Sequence, residues 1–173
     1  MMSRSFGRPI TTLIEMREAV ATYITRAAEK LRRHHVAAGV LTVFLMTSRF
    51  TDEPQYSNSV TMPLPVATQD TAELIGYALR GVAQLFREGY RYQKAGVILT
   101  ALVPAHQVQT HLFDQHDRER SHKLMAAIDT INREWGSGTI RYAAMGLRPA
   151  WIMRCARRSP RYTTRWEELA VVR

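Results

Sequence analysis

The chain has 173 residues, 46% of them hydrophobic, and a net charge of +9 with a pI near 10.3. That is enough for one domain with an appendage or two very small domains, and it calls for an acidic partner, nucleic acid before an anionic membrane surface. No apolar stretch reaches spanning length, no signal peptide is recognisable, and the lone Cys155 excludes an internal disulfide framework and fits a reducing cytoplasm.

In chain order, residues 2–7 read as a short strand closed by Gly7 and Pro9. Thr12 with Glu15 three positions on forms a capping box, and Leu13, Met16, Val20, Ile24, Ala27 and Leu31 then recur at helical spacing. Arg32, Arg33, His34 and His35 suit that helix's C-terminus, and Gly39 is expected to end its turn. Residues 40–46 form a β-branched and aromatic run, a buried strand. Beyond the connection at residues 51–55, Val60, Met62 and Leu64 alternate with Ser59, Thr61 and Pro63, which predicts a strand buried on one face. Pro63 and Pro65 place it at a sheet edge or make it short. Asp70 with Glu73 opens a second helix through Leu74, Ile75, Ala78, Leu79, Val82 and Leu85, stopped by Gly89. Residues 97–103 give the fourth strand, ended by Pro104.

The order β-α-β-β-α-β is the split βαβ arrangement. It predicts an α+β fold in which two helices cover one face of a four-stranded sheet and leave the other face free for nucleic acid. Leu124, Met125, Ile128, Ile131 and Trp135 mark a third helix stopped by Gly136, and residues 138–143 are expected to form a strand. The boundaries are then a domain over 1–103, a linker over 104–117 and a small helical or irregular module over 118–173.

Charge is uneven along the chain. Residues 114–173 hold 12 of the 24 Lys and Arg, and between Trp135 and Trp166 there is no acid, only arginine: Arg141, Arg148, Arg154, Arg157, Arg158, Arg161 and Arg165. Guanidinium groups favour forked contacts with phosphate or carboxylate. Arg161, Tyr162, Arg165 and Trp166 form either a base-stacking surface or a protein-docking one, while Trp151 and Trp166 could instead close a small core. Arg4 and Ser5, with backbone N–H groups beside Gly7, and Arg91 and Lys94 at the fourth strand are candidates for phosphate contacts. The competing reading is a solvated charged edge. Gln109-Thr110-His111-Leu112-Phe113 has the form of a docking peptide: Leu112 and Phe113 fill a pocket while the Gln109 amide fixes register. Burying each apolar side chain is worth roughly 1.5–3 kcal/mol before ordering costs, so affinity should be about micromolar. The alternative is a hinge whose Leu and Phe fold back. His106, His111, His116 and His122 lack metal-ligand spacing, so no metal site is expected.

Four segments together carry a resemblance: Ser3-Arg4-Ser5-Phe6-Gly7, Lys94-Ala95-Gly96, the Gln109–Phe113 peptide, and Ser159-Pro160-Arg161-Tyr162-Thr163-Thr164-Arg165-Trp166. Over essentially its whole length the chain resembles the C-terminal part of the UmuC family, catalytic subunits of DNA polymerase V within the Y-family of translesion polymerases. The resemblance implies that residues 1–103 are a little finger domain gripping duplex DNA in SOS repair. It also implies that Gln109, Leu112 and Phe113 bind the sliding clamp and that the tail meets a UmuD′ dimer and RecA, with no membrane. Palm, fingers and thumb with their Mg2+-binding carboxylates would precede residue 1, as the start Met1-Met2-Ser3 suggests for a chain beginning inside a longer protein. This part is therefore expected neither to polymerise nor to hold a cofactor. Thr110 departs from the family's frequent leucine. A stand-alone RNA-binding module shares the strand order but normally carries stacking aromatics, whereas Phe44 is the ring expected here on strands two to four. A protein-only adaptor is a further alternative.

Overall fold

Thr12 and Asp70 open the two helices of the domain. Thr12 Oγ1 accepts the Glu15 N–H of Leu13–Arg33 (α1), and Asp70 Oδ1 accepts the Glu73 N–H of Thr71–Leu85 (α2) at 2.9 Å. Between and around them run the strands Met2–Ile10 (β1), Val36–Thr47 (β2), Ser57–Thr68 (β3) and Tyr92–Pro104 (β4). The computed structural model describes residues 1–112, 114, 116–147, 149–153 and 159–169.

The sheet order is β1-β4-β2-β3 with every pairing antiparallel. β1 and β2 are thus parallel with β4 inserted, and β3 and β4 are parallel with β2 inserted: two interleaved split βαβ units in the expected α+β fold. β3 is an edge strand, as its two prolines require. Period-two alternation turns Leu41, Val43 and Leu45 of β2 and Ala95 and Val97 of β4 towards the helices, where Val20, Ile24, Leu74 and Val82 meet them in full burial. Gly81 lets α2 approach closely, since a Cβ there would stand 2.8 Å from the Met62 methyl and 3.2 Å from Val43.

The strands outrun their apolar cores. β2 begins at Val36 because His35, at φ +54°, makes the turn itself. Gly39 lies inside that strand, where the Ala101 carbonyl would be 3.3 Å from a Cβ. β4 begins at Tyr92, whose ring is fully buried and whose hydroxyl accepts the Arg87 N–H and donates to the Arg87 carbonyl. β1 continues to Ile10, with irregular register after Ser5. Residues 138–143 are not a strand. The Asn132 carboxamide takes both backbone groups of Ile140, at 2.9 and 3.2 Å, leaving nothing for a ladder.

The tail is seated on the domain. Arg118–Glu134 (α3) is capped by Asp117 and held by polar links from three of its residues. Arg32 grips Asp129 with two bonds of 2.6 and 2.7 Å, Arg118 bonds Glu73 at 2.7 Å, and the Ser121 hydroxyl bonds Asp70. Further on, Trp151 is buried edge-on against Phe6 and Tyr23, with ring centroids 6.1 and 5.9 Å apart, and its carbonyl accepts the Gly7 N–H at 3.0 Å. Such aromatic pairs add about 0.5–1.5 kcal/mol each beyond their buried area. Gly146, at φ +68°, rests its Cα on the Glu18 carboxylate, where any Cβ would clash at 2.5 Å.

Candidate nucleic-acid interface

Among the described residues nothing covers the sheet face turned away from the helices, and its composition is unusual. Its rows read, by register, Ser5–Lys94–Met46–Ser57, then Ser3–Gly96–Phe44–Ser59, then Ile98–Thr42–Thr61. No strand contains Asp or Glu. The surface is therefore hydroxyls, a few apolar side chains and the Lys94 ammonium, with no carboxylate of its own to repel a phosphate. The Phe44 ring lies across Gly96, where an added Cβ would meet its Cζ and the Ser3 Cβ at 2.5 Å. Glycine here keeps the ring flat on the sheet and the face shallow. Thr42 and Thr61 hydroxyls bond each other at 2.9 Å, which fixes the middle of the face.

The sequence-predicted DNA contacts separate on this frame. Ser5 and Lys94 are register partners on the open face. Arg4 is one residue out of phase and points to the other side, beside α1, where it influences Tyr23. The Gly7 N–H is spent on the Trp151 carbonyl. Arg91 pairs with Glu53 at 2.8 Å across the loop after β2. Sequence reasoning missed Ser3, Thr42, Gly96 and Thr61 as parts of the face. The signal that could have found them is the absence of acids from all four strand segments. Tyr92 is a second ring on these strands, but it is buried among Tyr56, Phe86 and Tyr90.

The docking-peptide residues stand outside this face. After β4 and a 3-10 turn over Ala105–Gln107, Gln109 is exposed and Leu112 is 91% exposed, so Leu112 does not fold back on the domain. Phe113 lies outside the described residues. Just beyond, Arg118 donates to Asp114 at 2.7 Å, and this bond, with the His116 N–H, holds the Asp114 carboxyl below its usual range. In the tail, Arg161 wraps Glu168 through its backbone N–H at 2.6 Å and its guanidinium at 2.9 Å, with Arg165 at 3.8 Å. Trp166 is 85% exposed and Tyr162 about half, whereas Trp151 is buried on β1 and α1. The two tryptophans do not share a core. No helix among the described residues is long and apolar enough to cross a membrane.

Residues 1–112 match the impB/mucB/samB family C-terminal domain, and residues 122–172 match a domain of unknown function (DUF4113). Among curated relatives, Protein UmuC of Salmonella typhimurium is 42% identical over 173 residues, covering 99% of this chain and 41% of its own length. Protein MucB of Escherichia coli is 39% identical over the same span, covering 99% of this chain and 40% of its own length. DNA polymerase IV of Desulfatibacillum aliphaticivorans is 29% identical over 143 residues, covering 82% of this chain and 35% of its own. The chain spans about two-fifths of the length of these relatives.

Proposed function

This chain belongs to the impB/mucB/samB family through its C-terminal domain, and we propose that it is the duplex-gripping C-terminal region of an error-prone translesion DNA polymerase. The observation that carries this reading is the open sheet face, free of carboxylates, with Lys94 beside Ser5 and Ser3 in the adjacent row. Hydroxyls and an ammonium serve phosphate oxygens as donors and read no bases. A shallow face bearing one flat ring and no array of base-reading amides accepts duplex regardless of sequence or damage, as lesion bypass requires. The domain over 1–103 holds duplex, and the linker over 104–117 carries the tether. Exposed Gln109 and Leu112, with Phe113, bind the sliding clamp. Each contact is weak, and acting together they raise one another's effective concentration. The exposed Arg161, Tyr162, Arg165 and Trp166 surface serves partner assembly, with a UmuD′ dimer and RecA as the family's partners. The catalytic, Mg2+-binding part belongs to the remaining length of such a polymerase.

The test is equilibrium binding of the chain to unrelated hairpin duplexes across a salt series. The expected result is equal affinity for all sequences with a steep negative slope of log K against log salt, about 0.9 per neutralised phosphate. Lys94→Ala should weaken binding uniformly and reduce the slope by about one. Salt-independent binding, or affinities that differ severalfold among the unrelated hairpins, would overturn the reading.

A further inference from the structure

On the helix side of β1, an arginine-lined cleft of about 1250 Å³ separates α1 from the tail. Arg4 of β1 and Tyr23 and Arg26 of α1 line it from one side, and Arg133, Arg141 and Tyr142 from the other. The two acids lining it are already engaged: Asp129 by Arg32 at 2.6 Å and Glu29 by Arg33 at 3.0 Å. Arg4, Arg26 and Arg133 have no acidic partner among the described residues, while Arg141 reaches the Gly146 carbonyl at 3.1 Å. Arg4 and Arg26 converge on Tyr23, where both partly offset the rise that burial imposes on its phenol. A further donor is unspent: the indole N–H of Trp151, a lining residue only 4% exposed, is buried without an acceptor.

We propose that this cleft is a second nucleic-acid site, which takes a single strand by its phosphates while the open face holds duplex. Two observations favour a nucleic-acid strand over an acidic peptide. The cations lining the cleft are arginines and His35, with no lysine, and guanidinium forks match phosphate oxygens pairwise. Above all, Ser5, the register partner of Lys94 on the open face, also lines the cleft beside Arg4, the preceding residue of the same edge strand. A strand leaving the duplex therefore crosses only the β1 edge to arrive among the unpaired arginines.

The inference goes beyond the duplex-binding reading and is tested apart from it. The probes are a fluorescein-labelled oligo(dT) of twelve nucleotides and a labelled hairpin duplex, each titrated with the whole chain at low salt. Arg26 and Arg133 are exposed, so Arg26→Gln/Arg133→Gln should fold normally. It is expected to weaken oligo(dT) binding at least about tenfold, a loss of two phosphate contacts, and to leave hairpin affinity unchanged. Lys94→Ala should do the reverse. The proposal is overturned if the wild type does not bind oligo(dT) at concentrations above the usual non-specific range of about 10⁻⁴ M, or if Arg26→Gln/Arg133→Gln binds it as the wild type does. It is also overturned if a twelve-residue polyglutamate competes as well as oligo(dT), which would make the cleft a carboxylate site. Loss of hairpin binding with oligo(dT) binding intact would count against the duplex reading and leave this one standing.

Discussion

The Arg32–Asp129 pair is a largely buried, two-bond ionic link between tail and domain, and its removal has a calculable consequence. The guanidinium is 10% exposed and the carboxylate 22%, so the pair lies between exposed ion pairs worth about 0–1 kcal/mol and fully buried ones whose breakage costs about 3–5. Asp129→Ala removes two short bonds but does not strand Arg32. Its other amino group still donates to the Gln69 carbonyl at 2.9 Å and the Thr71 hydroxyl at 2.8 Å, and water can enter where the carboxylate was. A cost of about 2 kcal/mol follows, near thirtyfold in the equilibrium for lifting α3 off the domain.

Native-state hydrogen exchange reads this directly, because local opening and global unfolding separate by region. Amides of Arg118–Glu134 should lose roughly ten- to hundredfold protection. Those of β2 and β4, whose stability rests on the core under α1 and α2, should be unchanged. Asp129→Asn keeps one acceptor for Arg32 and should fall between. Unchanged protection in α3 would refute the docking role of the pair. An equal loss in α3 and in β2 would refute the separation, since tail and domain would then open as one unit.

Four further outcomes follow from the same geometry. Gly96→Ala should cost about 1–3 kcal/mol, read as a lower Tm, because its Cβ displaces Phe44 and Ser3; adding Phe44→Ala should recover part of the Tm loss, and a Tm equal to wild type would contradict the close packing. Leu112→Ala/Phe113→Ala should abolish micromolar binding to a bacterial sliding clamp by surface plasmon resonance while leaving Tm unchanged, as expected for an exposed Leu112; a lower Tm would show that these residues pack on the domain. Asp114 is held low by Arg118, so its folded form is favoured above the ordinary carboxylate range and that advantage disappears as pH falls through the depressed value. Asp114→Asn should therefore flatten the acid limb of a denaturant-midpoint profile, and an unchanged limb would show that the carboxylate is not depressed. Tyr23 behaves oppositely: burial pushes its phenol to about 12, so stability present below pH 10 declines as pH rises towards 12, and Tyr23→Phe should remove that decline.

Much of this architecture is written locally in the chain. The caps Thr12 and Asp70 name the residues where two helices begin, because each supplies an acceptor to an N–H three positions on. The edge position of β3 is legible from Pro63 and Pro65. What was not legible depends on partners distant in sequence. Gly39 looks like a turn but serves the close approach of Ala101, and His35 makes the turn with a left-handed backbone that its residue type does not announce. Lys94 continues β4 because Ser5 and Met46 pair with it, and Gln93 because its carboxamide donates to the Phe6 carbonyl at 3.0 Å, not because they are apolar. At the candidate interface, the chemistry of Ser5 and Lys94 makes them legible as candidates. Their separation from Arg4 is a question of strand phase, which a sequence leaves uncertain by a residue, and one residue turns a side chain to the other face.

That phase, together with the way the sheet ends, decides which surfaces remain for a ligand. Edge strands invite partners that add a strand through backbone bonds. Here both edges are blunted: β3 carries Pro63 and Pro65, and β1 bears Arg4 and Arg8 and gives its Gly7 N–H to Trp151. Recognition by strand addition is thereby disfavoured, and binding falls to side chains on the two faces of β1. Among the described residues the tail meets that strand at its edge, through the Gly7 N–H, and on its helix side, through Trp151 against Phe6 and Tyr23. Docking it there leaves the carboxylate-free face uncovered and at the same time builds the second wall of the arginine cleft. Lifting the tail should therefore cost the cleft its affinity before it touches the open face, so Asp129→Ala should weaken oligo(dT) binding and spare the hairpin. A loss of both together would mean that the two faces of β1 do not act as separate sites.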